Sequence, residues 1–452
     1  MSSPHLAGLI RSLRRATGYI RLYGPAHPLC SGAEQEAARS ATRLVGAASG
    51  RLIAYKDDTL FVDGESAGLL SLQYNAFLRE LAAAGIETIT LAGEVDAGEI
   101  ADLARFVAGA RREPGAGRTV RVNAVKIDTG VRDQTPLAGL RTTYARSLDA
   151  LRSFGGSLHE GSSASLDQTA AVVKELLERS QANPVAALLL STVKSHHEYT
   201  FYHSVNTSIL SVSMGRMAGL AYEDQVLVGL GAMLHDIGKI RVPVSILQYP
   251  GRLDSQQWEE IRRHPQVGAQ AILAAAAPGE ELAAVVALEH HARYDGSGYP
   301  RLVYHDGVAD PGHSHPLHFF SRLVAVADTY DAITTRRSYR RAEPPSRALQ
   351  VLVNGAGTSY DPDFVLAFAS MMGTYPPGSF LRLATGEVVM VTEPSSDPGE
   401  VPTAVMVRDG AGNDIRDPEP FSYGSDQVVQ HLAASSLGFH PAEILERIEI
   451  DA

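Results

Sequence analysis

The stretch "LGAMLHDIGKIRVP", residues 230–243, sets His235 beside Asp236 on an apolar run. An imidazole next to a carboxylate is costly in a buried segment unless both find partners. The pattern reads as a helix over 223–238, where adjacent side chains project about 100° apart. That arrangement suits two metal ions, with the imidazole on one and the carboxylate bridging both. Lys239 follows His235 by four residues and stacks on the same helical face. A cation there reaches an anion bound at the metals. Gly238 lies between, near the helix end.

Four more segments carry candidate ligands. "YTFYHSVNTSILSVSMGRM" places His203 among small polar residues on an otherwise apolar element. "EEIRRHPQVGAQAIL" puts His264 before Pro265, where a helix must break or kink. "AAVVALEHHARYDGSGYP" has His290 and His291 adjacent, then a glycine-rich loop. "FFSRLVAVADTYDAITTRRSYRR" sets Asp328 after an apolar run. Each has a plain explanation alone: His203 a satisfied core histidine, His264 a surface one, Asp328 a helix cap or a partner of Arg322. The adjacent histidines are harder to dismiss, because two imidazoles on an apolar helix both need partners. A dinuclear metal site satisfies all five segments at once. Of 16 histidines, 11 fall between His196 and His318, so the metal chemistry concentrates in the middle of the chain.

Composition bounds the rest. The 452 residues allow two or three domains. A net charge of −11 argues against a nucleic-acid polymer as partner, while a small anion can still meet a local cluster of cations. The single cysteine, Cys30, excludes an intrachain disulfide and points to a reducing compartment. The N-terminus has no signal-peptide pattern, and the best apolar run, "PVAALLLSTV", is too short to span a bilayer. The expectation is a cytoplasmic protein with no membrane insertion.

The chain reads as multidomain. Residues 1–127 form a small α/β unit with a hairpin through "RLIAYKDDTLFVDGE" and Asp96 as a helix cap. This unit shows no catalytic constellation and reads as a regulatory or dimerising module, a route to a homodimer. Residues 128–167 hold a helix at 136–154 and the linker "GGSLHEGSSASLD". Residues 168–374 are an all-α domain with helices at 168–181, 184–196, 199–219, 223–238, 254–276, 279–293, 316–337, 344–355 and 361–372. Asp254 and Gln257 fit a capping box. Residues 375–452 are a short β-rich appendage that closes in a helix from "DQVVQHL" onward.

The ordered set His203, "HD" at 235–236 and Asp328 resembles the H…HD…D signature of the HD phosphohydrolase superfamily. "HDIGK", "RRHP", "HH…DGSGYP" and "VAVADTYDA" are together similar to its HD-GYP subfamily, from about Tyr199 to Asp363. The resemblance implies a central HD-type helical domain that hydrolyses cyclic di-GMP to pGpG, with a second cut to GMP. It implies two divalent metal ions, iron or manganese, held by His203, His235, Asp236, His264, His290, His291 and Asp328, with Asp236 bridging. Two such cations activate water for attack at phosphorus, so no serine or cysteine nucleophile is required. Lys239 matches the family's lysine for the substrate phosphate. Arg337 and Arg340 fall where the family places cations for phosphate and guanine. Gly298, Tyr299 and Pro300 match the GYP loop at the border of the site.

Some positions depart from the family pattern. Ala292 stands in place of a glutamate, Ser338 in place of a proline, and Arg340 replaces a lysine of some members. Tyr199 occupies the position where members with three metals carry a glutamate, which favours two metals. His305, His313, His315 and His318 read as loop histidines. Three other readings stay open: an HD phosphohydrolase acting on another nucleotide such as cyclic GMP-AMP, a non-catalytic cyclic dinucleotide receptor, and a purely structural helical scaffold.

Overall fold

The structure, a computed structural model, describes residues 3–56, 59–115, 117–125, 136–162, 164–193, 199–249, 251–301, 317–335, 342–395, 401–415, 417–424 and 427–432, with the single positions 437, 441, 444 and 448. The chain divides into two compact units, Met1–Gln134 and Thr135–Ala452.

In the first unit, helices α1 (Ser3–Tyr23) and α2 (Pro28–Val45) precede strands β1 (Arg51–Lys56), β2 (Thr59–Val62) and β3 (Glu65–Ser66). Helices α3 (Gly68–Gln73) and α4 (Asn75–Ala83), strand β4 (Thr88–Leu91), helix α5 (Ala97–Val107) and strand β5 (Val120–Val122) follow. The strands form one antiparallel sheet in the order β3-β2-β1-β4-β5. The expected hairpin is present, with Ile53 opposite Val62 and Lys56 opposite Thr59. Asp96 caps α5 by accepting from the Glu99 amide at 3.0 Å. Leu13, Ala37, Leu91 and Leu103 lie in the apolar core that α1, α2 and α5 share with the sheet.

The second unit is helical until its last strands. It holds α6 (Pro136–Glu160), α7 (Asp167–Ala182), α8 (Pro184–Leu190), α9 (Tyr199–Met217) and α10 (Tyr222–Leu234). A 3-10 turn (Ile237–Arg241) leads to α11 (Val244–Leu247), α12 (Ser255–Arg262), α13 (His264–Ala275) and α14 (Leu282–Glu289). Then come α15 (Phe319–Thr334), α16 (Pro345–Asn354) and α17 (Pro362–Met372). Leu210 of α9, Val228 of α10, Val286 of α14, Val326 of α15 and Phe368 of α17 share one core. Strands β6 (Phe380–Leu383), β7 (Val388–Glu393), β8 (Thr403–Arg408) and β9 (Val428–Leu432) close the unit as an antiparallel sheet ordered β8-β7-β6-β9. Val388 and Met390 of β7 face one apolar cluster and Val389 and Val391 the other, so this strand is covered on both sides. No helix among the described residues is long and apolar enough to cross a membrane.

Three expectations are corrected. The glycine- and serine-rich stretch is not all linker, because α6 runs through Gly155 and Gly156 to Glu160. Gly155 is there for closeness: a β-carbon on it would lie 2.5 Å from Ile240 Cδ1. The segment "VVQHL" is a strand rather than the start of a helix, since its backbone completes the ladder of β6. The helix expected over 223–238 stops at Leu234, and the chain tightens into the 3-10 turn after Asp236. The break expected before Pro265 is present, with α12 ending at Arg262 and α13 starting at His264.

Candidate metal centre

Three helix ends converge on the site. His235 caps the end of α10, His290 caps the end of α14, and His264 follows the end of α12. The last carbonyls of a helix lack intrahelical donors. Each of these rings supplies one: Nδ1 of His235 lies 2.7 Å from Ala232 O, that of His264 2.6 Å from Ile261 O, and that of His290 2.8 Å from Ala287 O. A carbonyl only accepts, so Nδ1 carries the proton and Nε2 carries a lone pair. The three Nε2 atoms are thereby aimed inward.

The carboxylate of Asp236 divides the cluster. Its Oδ1 lies 3.2 Å from His264 Nε2 and 3.7 Å from His290 Nε2. Its Oδ2 lies 3.5 Å from His235 Nε2 and 3.8 Å from His203 Nε2. Two sets of donors result, one of Asp236, His264, His290 and His291, the other of His203, His235 and Asp236. Asp328 Oδ1 joins the second set from α15, 2.9 Å from His203 Nε2 and 3.8 Å from His235 Nε2. His203, His235, Asp236, His264, His290 and Asp328 are all buried.

These contacts test whether a metal fits. Nε2 of His264 and of His290 stand 3.2 Å apart, two lone pairs facing each other. Nε2 of His235 and Oδ1 of Asp236 are buried without a hydrogen bond. Buried acceptors without donors are unfavourable, and a divalent cation among nitrogen and carboxylate donors removes the conflict. The residues present fit such a group.

Electrostatics agree. Burial pushes the His235 imidazole down to about 4, against the pull of Asp236 and Asp328, so it stays neutral. Burial lowers His264 as well, and burial together with adjacent His290 holds His291 well below the usual histidine value. Burial alone would raise the Asp236 carboxyl, but Lys239 and His235 hold it well below the carboxylate range. Asp328 is likewise lowered, burial being outweighed by its hydrogen bond with His203 and by His235. Neutral imidazoles and ionised carboxylates are the forms that bind metal.

Lys239 differs from expectation. Because the helix ends before it, Lys239 does not stack over His235; its Nζ bonds Asp236 Oδ2 at 2.5 Å. Residues three apart eclipse in a 3-10 turn, which sets the ammonium against the buried carboxylate. Gly238 holds the same turn against α13. A β-carbon there would lie 2.1 Å from His264 O and 2.7 Å from the Gly268 amide nitrogen. This contact brings His264 to Asp236. On its other side the turn meets α6, where Arg241 donates to Leu158 O.

Asp331 joins the cluster without having been singled out by the sequence pattern. Its Oδ2 lies 2.7 Å from His203 Nδ1. Its signal was its place three residues after Asp328, on the same face of α15. The two carboxylates outweigh burial and raise the His203 imidazole. Tyr199 stacks on the His203 ring, with centroids 5.3 Å apart.

The Gly298–Pro300 loop folds back on the histidine pair. The Tyr299 amide donates to His291 O at 3.2 Å, and its ring lies 4.7 Å from that of His291. Gly298 has φ 93°, and a β-carbon on it would meet His291 O at 2.4 Å, so this position requires glycine. Ala292 bridges to Gly298 in the same fold-back. His318 caps α15 by accepting from the Phe320 amide and donates its own amide to buried Glu289. Arg337, Arg340 and Ser338 lie outside the described residues, as do His305, His313 and His315.

The match to a known protein family covers this same region. Residues 185–364 match the HD domain family. A cyclic di-GMP phosphodiesterase of Pseudomonas aeruginosa is 34% identical over 222 residues, 49% of this chain and 51% of its own. A cyclic di-GMP phosphodiesterase response regulator of Xanthomonas campestris pv. campestris is 38% identical over 144 residues, 32% of this chain and 36% of its own. A 3'3'-cGAMP-specific phosphodiesterase of Vibrio cholerae is 30% identical over 184 residues, 41% of this chain and 38% of its own. The chain thus spans about half the length, or less, of the curated relatives it matches. The matched residues hold the whole histidine and aspartate cluster together with the Gly298–Pro300 loop, so this part of the chain is similar to an HD domain.

Proposed function

We propose that this region is an HD-GYP domain, a metal-dependent phosphodiesterase that opens cyclic di-GMP to pGpG, with GMP as the product of a second cut. The observation that carries the reading is the 3.2 Å approach of two Nε2 lone pairs, those of His264 and His290, beside an unbonded carboxylate oxygen of Asp236. His264, His290 and His291 would hold one divalent ion, iron or manganese. His203, His235 and Asp328 would hold a second, with Asp236 shared between them. Bound there, two such ions supply activated water and neutralise charge at phosphorus.

The chain's own residues do the rest. The carbonyls of Ala232, Ile261 and Ala287 keep each Nδ1 protonated and each Nε2 free. Asp331 would do the same for His203 through a carboxylate once a metal takes the place of the proton that Nε2 shares with Asp328. Lys239 brings a cation to the rim of Asp236, where it meets a phosphate oxygen of the substrate. Arg337 and Arg340 follow α15 in sequence and supply further cations for phosphate and guanine.

The test is turnover. Protein prepared anaerobically with Fe(II) or Mn(II) is given cyclic di-GMP, and pGpG is measured by chromatography. No product with either metal, at protein concentrations near that of the substrate, refutes the reading. The similarity to a cGAMP-specific enzyme makes cyclic GMP-AMP the second substrate to assay in parallel. Tight binding without hydrolysis of either nucleotide would instead identify a receptor.

A further inference from the structure

Trp258 is the chain's single tryptophan and is 44% exposed. It sits on α12, one turn before Arg262. The Arg262 guanidinium carbon lies 5.8 Å from the Trp258 ring centre and 5.7 Å from that of Tyr299. Tyr299 in turn lies against His291. Trp258, Arg262, Tyr299 and His291 therefore form a continuous row from an exposed ring to the histidine cluster.

Arg262 is placed but not paired. Among the described residues it makes no hydrogen bond and no ion pair, whereas neighbouring Arg263 is matched to Glu260 at 2.9 Å. Two aromatic rings hold its position through cation–π contact and leave its edge of N–H donors open. An arginine edge matches acceptors set side by side, as in a phosphate or in the O6/N7 edge of guanine. The same edge of adenine presents a donor at N6, which an arginine cannot accept. The exposed indole decides between the two acceptors: a base stacks on an aromatic ring, and a phosphate has no use for one.

We infer that Trp258 and Arg262 form a guanine subsite, the base lying against the exposed indole with its O6/N7 edge on the Arg262 donors. This deepens the cyclic dinucleotide reading above and rests on it. It makes Arg262 a specificity-determining residue at the border of the site, selecting guanine over adenine.

The single tryptophan makes the test direct. Full-length protein loaded with Mn(II) is titrated with hydrolysis-resistant phosphorothioate analogues of cyclic di-GMP and cyclic di-AMP. Trp258 emission is followed, and binding is measured independently by equilibrium dialysis. The subsite requires that the guanine analogue change the emission with the Kd that dialysis gives. It also requires that Arg262→Gln weaken the guanine analogue about tenfold or more and leave the adenine analogue unchanged. Both side chains are exposed, so circular dichroism of the variant should match that of the parent. Dialysis binding with no emission change overturns the subsite. Equal weakening of both analogues shows a phosphate contact and overturns it too. Cyclic di-GMP turnover with an unchanged KM in Arg262→Gln overturns the subsite alone. Absence of both binding and turnover overturns the subsite and the phosphodiesterase reading together.

Discussion

Asp331 Oδ2 stands 2.7 Å from His203 Nδ1, and both side chains are 1% exposed. Asp328, one turn earlier on α15, meets the other ring nitrogen at 2.9 Å. One imidazole is thus gripped from both sides by a single helix. With a metal on Nε2 in place of the proton it shares with Asp328, the outer carboxylate would keep the proton on Nδ1 and so set which nitrogen faces the cluster.

Asp331→Asn keeps the size but can donate as well as accept, so it releases the tautomer. We expect kcat to fall about 10- to 100-fold, with less bound metal per chain and an unchanged far-ultraviolet spectrum. Elemental analysis beside steady-state kinetics checks both. Full metal content with full activity would remove Asp331 from a positioning role.

Gly238→Ala places a carbon where the His264 carbonyl oxygen already stands, 2.1 Å from the ideal position. Backbone cannot yield as a flexible side chain can, so α13 must move away from the turn. Overpacking of this kind costs about 1–3 kcal/mol. The expected result is a lower thermal midpoint together with loss of turnover, because His264 leaves Asp236. A variant that melts like the parent and turns over normally contradicts this account.

Gly155→Val tests the other side of the same turn. The nearest atom is the far end of Ile240, which can swing aside at a smaller cost. We expect reduced kcat with the fold retained, and partial recovery when Ile240→Val is added. A double-mutant cycle measures the coupling; strictly additive effects would show that α6 does not brace the turn.

Acidification should destabilise the metal-free chain. His235 has a folded value of about 4 against an ordinary 6.5, so the unfolded chain binds the proton first. Stability from this group is present above 6.5 and is lost as pH falls toward 4, about 2 kcal/mol of it by pH 5. His264 and His291 shift in the same direction, while the raised His203 opposes them. The lowered Asp236 and Asp328 add losses only below the ordinary carboxylate value of 3.8. Chemical denaturation of chelator-treated protein from pH 7.5 to 5 reads the slope. His235→Gln should flatten it, and an unchanged slope in that variant would refute the assignment.

Much of the site was legible because its chemistry repeats along the chain. His203, His235, Asp236, His264, His290, His291 and Asp328 each interrupt an apolar pattern, and the structure brings all seven together. The break before Pro265 and the capping box at Asp254 were legible for a local reason, the missing N–H of proline and the reach of a short side chain. The end of α10 was not, because the apolar run continues through Ile237 and Ile240 while the backbone tightens to meet α13. Nor was β9: "VVQHL" suits helix or strand, and pairing with β6 settles it.

The sequence alone determined which donors exist, their order, and that an apolar helical domain surrounds them, since residue chemistry and periodicity are properties of short segments. Only the tertiary structure decided that α10, α12 and α14 end at one place, that Gly238 touches the His264 backbone, and that Asp331 backs His203. Those relations join residues up to 128 positions apart, and no local pattern encodes them. They follow from burying several apolar helix faces in one core, which leaves the helix ends, with their unpaired carbonyls and inward histidines, to meet at Asp236.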